Sequence, residues 1–564
     1  MSNEYEKCKR LFRGTFHKLV NNRIGFLRHS FGHLIRHVIN DGEMVGIVRF
    51  YKQCDVLQPL KEVKDKATRE AFAKKVERFS LKFYTSIGCG LQLGIKVLES
   101  HGTLASGGTL ILISDGIENG TPLIANVLPM VLAKGVIVHT FAIGPTADAK
   151  LQNVALQTGG TAYFFADNQK NIIASMGISF VLSTTSHLED SQKPVFLVET
   201  TEDLDNKTPE KRIAFPIPEE LGKDTRVTVS TTKKQAFNVY VLDPTGKKCN
   251  QECSTTRLGD LIVEVTIPET KKTETWTVIL EKKSEPVKNL SVVVMTKQRR
   301  HEDAIRTESC IRHVESTNMI VIYSRVTKGG ARVLKANVTA TITLPEKDKT
   351  VFLPLHDSGK GADLKADDGE YAAYFTQYRS KGRYSVRTDV TLDTSAVLTI
   401  SKPEKHTPPL GRWKAAKSIM EPGKICSSSE ASTECKERII SKVMKFRPLF
   451  RDRSKDQSSP DDARIKMVAY AGAFQMRTQS DPKDLPPDRV RDLAVKDVNR
   501  TSGDVTVTIS WTSTGANLDA GKATSLDLRS SLDLRELIYN FQEAKQLTTN
   551  SVLEGSLTPE DPYR

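Results

Sequence analysis

Between Met44 and Thr185 the chain alternates short, almost wholly apolar runs with longer amphipathic stretches, and few folds accept that pattern. MVGIVRFY (44–51), TLILISDG (109–116), VIVHTFAIG (136–144) and TAYFFA (161–166) read as strands. KATREAFAKKVERF (66–79), IGCGLQLGIKVLES (87–100) and PLIANVLPMVLAKG (122–135) read as helices. So do a stretch near 148–157 that stops at Gly159-Gly160 and another over about 170–184. Strands that are apolar throughout belong to a parallel sheet covered on both faces. Right-handed crossovers then give a doubly wound, Rossmann-like α/β domain.

In such a sheet ligands collect at the carboxyl ends of the strands. Two loops there stand out, Phe83-Tyr84-Thr85-Ser86-Ile87-Gly88 before a helix and Ile113-Ser114-Asp115-Gly116 after a strand. The Thr85 hydroxyl and the Asp115 carboxylate suit Mg²⁺, which prefers an octahedron of oxygens. Equally, Thr85 suits a helix N-cap and Asp115 a turn before Gly116.

After residue 190 the texture changes to short alternating runs bounded by turn sequences: PVFLVET, TRVTVSTT, FNVYVLD, LIVEVTI, TWTVILE and SVVVMTK. That predicts an antiparallel β-sandwich over 190–300. A second over 305–402 comes from MIVIYSRV, ANVTATITL, YAAYFTQY and RYSVRTDVTL. A basic, Pro/Ser-rich linker is expected over 403–482, a partial β-domain with Trp511 on a core strand over 483–546, and a tail over 547–564. The fold class is therefore α/β plus all-β and multidomain, as 564 residues require.

The net charge of +14 is local. Residues 1–40 carry +6 and residues 401–456 carry +7, both in stretches with little predicted structure, so no specific nucleic-acid partner is expected. No window reaches the ~18 apolar residues of a membrane span, and the opening residues, which lack a basic n-region and an apolar run, are not expected to act as a signal peptide. Eight cysteines are too few for a disulfide-built scaffold, although Cys249 with Cys253, and Cys426 with Cys435, are spaced like local bridges. Sequons at Asn119, Asn206, Asn289, Asn337 and Asn499 are glycosylation candidates and lean toward an extracellular history.

LILISDGIENG followed by GVIVHTFAIGPTADAKLQNVALQTGGTAYFFAD resembles a von Willebrand factor A domain, and more narrowly that of the calcium-activated chloride channel regulators. LHDSGKGADLKADDGEYAAYFTQYRSKGRYSVR (355–387) is similar to that family's β-domain loop. GAFQMRTQSDPKDLPPDRVRDLAV and ISWTSTGANLDAGKA are similar to its fibronectin type III-like part. The resemblance places the A-like domain at 22–188, behind a divergent basic N-terminus of 1–21.

It also implies a metal-ion-dependent adhesion site for Mg²⁺, with Thr85 as the second-loop threonine and Asp115 as the third-loop aspartate. The first motif, D-x-S-x-S, is missing from 1–21, so Mg²⁺ is expected to bind weakly or not at all. The strand that should carry that motif is central in the fold, and without it the neighbouring strand edges are left unpaired. An N-terminally incomplete form is the expectation.

The family's zinc-protease motif H-E-x-x-H is absent, as are G-x-S-x-G and a phosphate loop, so the chain is expected not to be an enzyme. His33 and His37 have metal-compatible spacing but read as a surface or half-buried helical pair. Asp357, Asp363, Asp367 and Asp368, set among glycines, offer a possible Ca²⁺ loop. The resemblance implies a non-catalytic extracellular or cell-surface protein that modulates chloride conductance by binding a membrane partner, such as a calcium-activated chloride channel. The alternatives are a remnant of a self-cleaving secreted metalloprotease-like precursor, and a basic scaffold for anionic surfaces.

Overall fold

The computed structural model describes residues 23–399 apart from short interruptions, the strand Phe446–Pro448, and most of 465–546. The first two strands, β1 (Met44–Phe50) and β2 (Cys54–Glu62), form an antiparallel hairpin that stands apart from the parallel sheet. The strand expected at 44–51 therefore exists, but not in the sheet where the apolar run placed it. Its partner CDVLQPLKE escapes an apolar-run criterion because it carries Pro59 and three charged residues, which an edge strand tolerates. A Cys54–Cys89 disulfide ties the hairpin to the helix behind it.

Helices α1 (Lys66–Arg78) and α2 (Ile87–Leu98) precede β3 (Thr109–Ser114). Then α3 (Ile124–Ala133), β4 (Ile137–Ile143), α4 (Lys150–Thr158), β5 (Ala162–Phe165) and α5 (Ile172–Thr185) follow. β3, β4 and β5 are parallel neighbours, with Thr109 opposite Ile137 and Phe141 opposite Tyr163. Their alternation sends Leu110 and Leu112 into a core shared with α2, α3 and α4. Ile111 and Ile113 enter a second core, on the opposite face, with Phe31, Leu34 and Phe180. The apolar runs are explained by these two cores.

The β-rich part begins with β6 (Val195–Leu204), β7 (Glu210–Pro216), β8 (Leu221–Ser230) and β9 (Phe237–Leu242). It continues through β10 (Ser254–Leu258), β11 (Ile262–Glu269), β12 (Thr275–Lys282) and β13 (Val287–Gln298). A second group comprises β14 (Ile305–Val314), β15 (Met319–Lys328), β16 (Ala331–Leu334), β17 (Asn337–Thr343) and β18 (Thr350–Leu355). It is completed by β19 (Glu370–Tyr374), β20 (Gly382–Leu392), β21 (Val397–Thr399) and β22 (Phe446–Pro448).

The two sandwiches expected from the sequence share one nine-stranded sheet of order β10-β11-β8-β13-β6-β23-β20-β17-β18. The joining strand β23 (Ile465–Met476) falls inside the segment expected to be a linker. Its sequence IKMVAYAGAFQM is rich in Ala, Gly and Met, which have weak strand propensity, so its period is faint. It is apolar on both faces because Met467 and Phe474 enter the sandwich core while Val468 meets α5. The rest of 403–464, with Cys426 and Cys435, lies outside the described residues apart from β22, as do 1–21 and 547–564. The Cys249–Cys253 bridge forms.

Downstream, β24 (Ala494–Arg500) and β25 (Val505–Ser510) make an isolated hairpin. Trp511 follows β25 half-buried rather than on a core strand, because β24 and β25 have no facing sheet among the described residues. The helical pattern after it yields a helix at Leu534–Tyr539.

The α/β domain and the long sheet are packed together. Ala174, Ile178 and Val181 of α5 sit on Phe196, Val293, Met295 and Val468. Two buried carboxylates brace this joint. Glu199 of β6 accepts from Asn171 Nδ2 (2.7 Å) and Arg387 Nη1 (2.9 Å), and from the Tyr470 hydroxyl. Glu264 of β11 holds His33, 2.6 Å from its ring Nε2.

Candidate functional site

β3 ends at the expected loop, with Asp115 half-exposed (42% of its side chain) at the carboxyl edge of the sheet. Thr85 lies beside it. A Cβ on Gly116 would stand 2.8 Å from Thr85 Oγ1, so only glycine lets the two loops approach this closely. The Thr85 N–H donates to Asn119 Oδ1 (2.7 Å), and Thr85 O accepts from the Asn119 and Gly120 amides.

Beneath the surface, buried Glu118 accepts from the Gly88 amide (3.2 Å) and the Ile124 amide (2.8 Å), at the first turns of α2 and α3. Both helix dipoles favour a carboxylate there. Asp148 accepts from the Glu118 amide (2.9 Å) and the Lys150 amide (2.8 Å) at the start of α4. These two carboxylates fix the loops and have little left to offer a ligand.

The residue that sequence reasoning missed is Arg23. Its side chain is only 10% exposed, and its Nη1 lies 3.3 Å from Asp115 Oδ2. The same nitrogen donates to Thr146 Oγ1 at 3.4 Å, and that hydroxyl donates to Asp115 O at 2.8 Å. Gly144, at φ +73°, makes the space: a Cβ there would come within 2.3 Å of Arg23 Nη2. A glycine at the end of β4 was visible in the sequence, but what it accommodates was not.

This donor set does not fit Mg²⁺. An ion on Asp115 would stand within about 4 Å of the guanidinium, a repulsion of about 8 kcal/mol at an effective dielectric of about 20. A millimolar site supplies only about 4 kcal/mol. The fixed cation wins, and Asp115 has its counter-charge from within the chain.

The acidic loop is a separate place. Asp357, Asp363 and Asp368 bring ligand oxygens within 4.8 Å of one another, whereas Asp367 is exposed at a left-handed turn (φ +56°) and stands outside the cluster. Asp357 accepts from the Asp368 and Gly369 amides, and Asp363 from the Ser358, Gly359 and Lys365 amides. Arg332 Nη1 lies 3.2 Å from Asp368 Oδ2. Burial raises all three, Asp357 to about 6, against the lowering by amide donors, and the neighbouring carboxylates add to the rise. Three crowded carboxylates outnumber the single Arg332 guanidinium, so unlike Asp115 the cluster keeps net negative charge and spare lone pairs, the oxygen donor set that suits Ca²⁺.

Of the His33–His37 pair, His33 is buried and His37 half-buried. The rings stack at 5.7 Å and both meet Glu264, His37 through Nδ1 at 3.3 Å. Of the sequons, Asn119, Asn206, Asn337 and Asn499 are exposed, and Asn289 is half-buried.

Residues 18–175 match the family model of the von Willebrand factor type A domain. Calcium-activated chloride channel regulator 1 of Equus caballus is 25% identical over 547 residues, covering 96% of this chain and 56% of that protein. Calcium-activated chloride channel regulator 2 of Homo sapiens is 25% identical over 532 residues, covering 92% and 52%. The chain thus spans about half the length of the curated relatives it matches. Among solved structures, a von Willebrand factor type A protein from Catenulispora acidiphila shares 12% identity at a TM-score of 0.26, over 54% of this chain and 60% of that one. Residues 18–175 thus match a von Willebrand factor type A domain, and along nearly its whole length the chain is similar to calcium-activated chloride channel regulators.

Proposed function

We propose that the protein is a non-catalytic regulator that binds a membrane partner, a calcium-activated chloride channel, and modulates its chloride conductance. The observation that carries this reading is the A-domain face around Asp115. It is polar, partly exposed and braced by Glu118 and Asp148, and it holds a guanidinium–carboxylate pair rather than a nucleophile with its base. Recognition at this face proceeds without a divalent ion, through Arg23, Asp115 and Thr85, and the β-sheets add contact area. The names of the relatives support the same reading.

Two disulfides and four exposed sequons support an oxidising, extracellular or cell-surface setting. Among the described residues no helix is long and apolar enough to cross a membrane. Asp357, Asp363 and Asp368 hold Ca²⁺ in this reading, which would stiffen the loop between β18 and β19. The test is co-expression with a calcium-activated chloride channel in cells with little current of their own. The chain should raise the calcium-activated current or the channel's surface level, and Asp115→Arg should reduce that gain without lowering secretion of the protein. No effect on current or surface level would overturn the proposal.

A further inference from the structure

The β-rich part reaches the loops beneath Asp115 through Arg383 of β20. Alternate residues of a strand share a face, so Arg383 and Ser385 point one way and Tyr384 the other. Tyr384 stacks on Phe474 inside the sandwich core, with 4.9 Å between ring centres. Arg383 and Ser385 meet the A domain instead. Ser385 Oγ donates to Phe164 O on β5 at 3.1 Å. Gly472 of β23 lets the two sheets come this close, since a Cβ there would stand 2.8 Å from Ala162 O.

Arg383 extends past β5 to the start of α4. Its guanidinium lies 5.5 Å from the Phe164 ring centre, and its Nη2 donates to Ala147 O (2.6 Å) and Asp148 O (2.9 Å). The side chain is buried, and a buried charge must be compensated; here two carbonyls of one short segment do so. That segment in turn carries the loop after β3. The Asp148 amide donates to Gly116 O at 3.1 Å, and the Glu118 amide donates to Asp148 Oδ2 at 2.9 Å. Thr146 Oγ1 donates to Asp115 O at 2.8 Å. Residues 115–118 are therefore held by 146–148, which Arg383 holds from the other side. Glu118 passes the constraint on to the Gly88 and Ile124 amides, the first of them three residues after Thr85. We infer that Arg383 is a positioning residue for the A-domain face, which on the reading above is the recognition surface. Through it β20 sets where the Asp115 and Thr85 loops stand, so the β-rich part governs how that face is presented.

The test is amide exchange, followed by mass spectrometry on the full chain, in the parent, Arg383→Met and Ser385→Ala. Arg383→Met keeps the apolar stem and removes the donor. Exchange at 115–118 and 147–150 should quicken by about tenfold or more, while β4 changes by less than about twofold. Ser385→Ala removes the neighbouring bond of the same joint and should leave 115–118 within about twofold of the parent. Should Arg383→Met fail to fold, Arg383→Lys decides in its place, because an ammonium keeps the charge but not the stacked plane. The same two segments should then quicken by about threefold or more. Unchanged exchange at 115–118, acceleration spread evenly over the A domain, or equal effects of the Arg383 and Ser385 variants at 115–118 would overturn the inference. No chloride channel enters the measurement, so a chain without effect on current would refute the proposed function and leave this result standing.

Discussion

Glu264→Ala should loosen the whole A domain, although residue 264 lies in the β-rich part. The carboxylate is 1% exposed and sits 2.6 Å from His33 Nε2, 3.3 Å from His37 Nδ1 and 3.9 Å from Arg226 Nη1. Thr228 Oγ1 donates to it at 3.3 Å. Burial alone would raise its pKa, but the His33 charge and hydrogen bond, with Arg226 and His37 behind them, hold it down to about 2. Relative to an ordinary value near 4.5, that corresponds to about 3 kcal/mol favouring the ionised, folded form. This contribution is complete above about pH 4.5 and is lost as pH falls through about 2.

Removing one partner of a buried ion pair typically costs about 3–5 kcal/mol, because the group left behind is desolvated without compensation. Arg226 is spared, since Asp224 also pairs with it; His33 is not. For a domain of this size each kcal/mol moves the melting temperature by about 2–4 °C. Calorimetry of Glu264→Ala, His33→Ala and the double variant should show single losses of about 6–20 °C in the A-domain transition. The double variant should lose far less than their sum. A Glu264→Ala protein within about 1 kcal/mol of the parent, or strict additivity, would refute the reasoning.

Three further outcomes follow from the same geometry. His37 is lowered to about 4, chiefly by burial against the pull of Glu264, and its Nε2 is buried without a hydrogen-bond partner. With His33, Arg226 and Arg36 also facing it, stability should be full above about pH 6.5. It should fall by about 2 kcal/mol toward pH 4, after discounting for partial exposure, and His37→Phe should flatten that slope in urea titrations. At Asp115 neither the parent nor Arg23→Ala should show a melting shift with about 1 mM Mg²⁺, because Thr85 and Asp115 leave most of the shell to water, whereas Arg23→Ala by itself should lower the melting temperature. Asp357, raised to about 6, opposes folding increasingly as pH climbs from about 4 to 6. Ca²⁺ should therefore raise the melting temperature more near pH 7.5 than near pH 5, and Asp357→Asn should abolish the gain.

Much of the α/β domain was legible because its evidence is local. A strand buried on both faces must be apolar at successive positions, and β3, β4 and β5 are. Asp115 was legible for the same reason, since a polar residue and a glycine end such a run only where the chain leaves the sheet. β2 and β23 were not legible: Pro59 breaks one pattern, and Ala, Gly and Met blur the other. The two-sandwich reading did not foresee that one pairing, Val468 with Phe196, joins both groups of strands in one sheet, because nothing local in residues 465–476 says that both neighbours lie so far away in sequence.

The sequence by itself determined that β3, β4 and β5 are strands of a parallel sheet and where their carboxyl ends fall, with Asp115 at one of them. Only the tertiary structure decided that Arg23, 92 residues from Asp115, faces that carboxylate, and that Glu264, 231 residues from His33, holds that histidine elsewhere in the fold. Periodicity reports the environment of a segment, buried or exposed, but carries no address for its partner. An ion pair across the fold is set by which surfaces pack together, and those contacts exist only once the chain has closed.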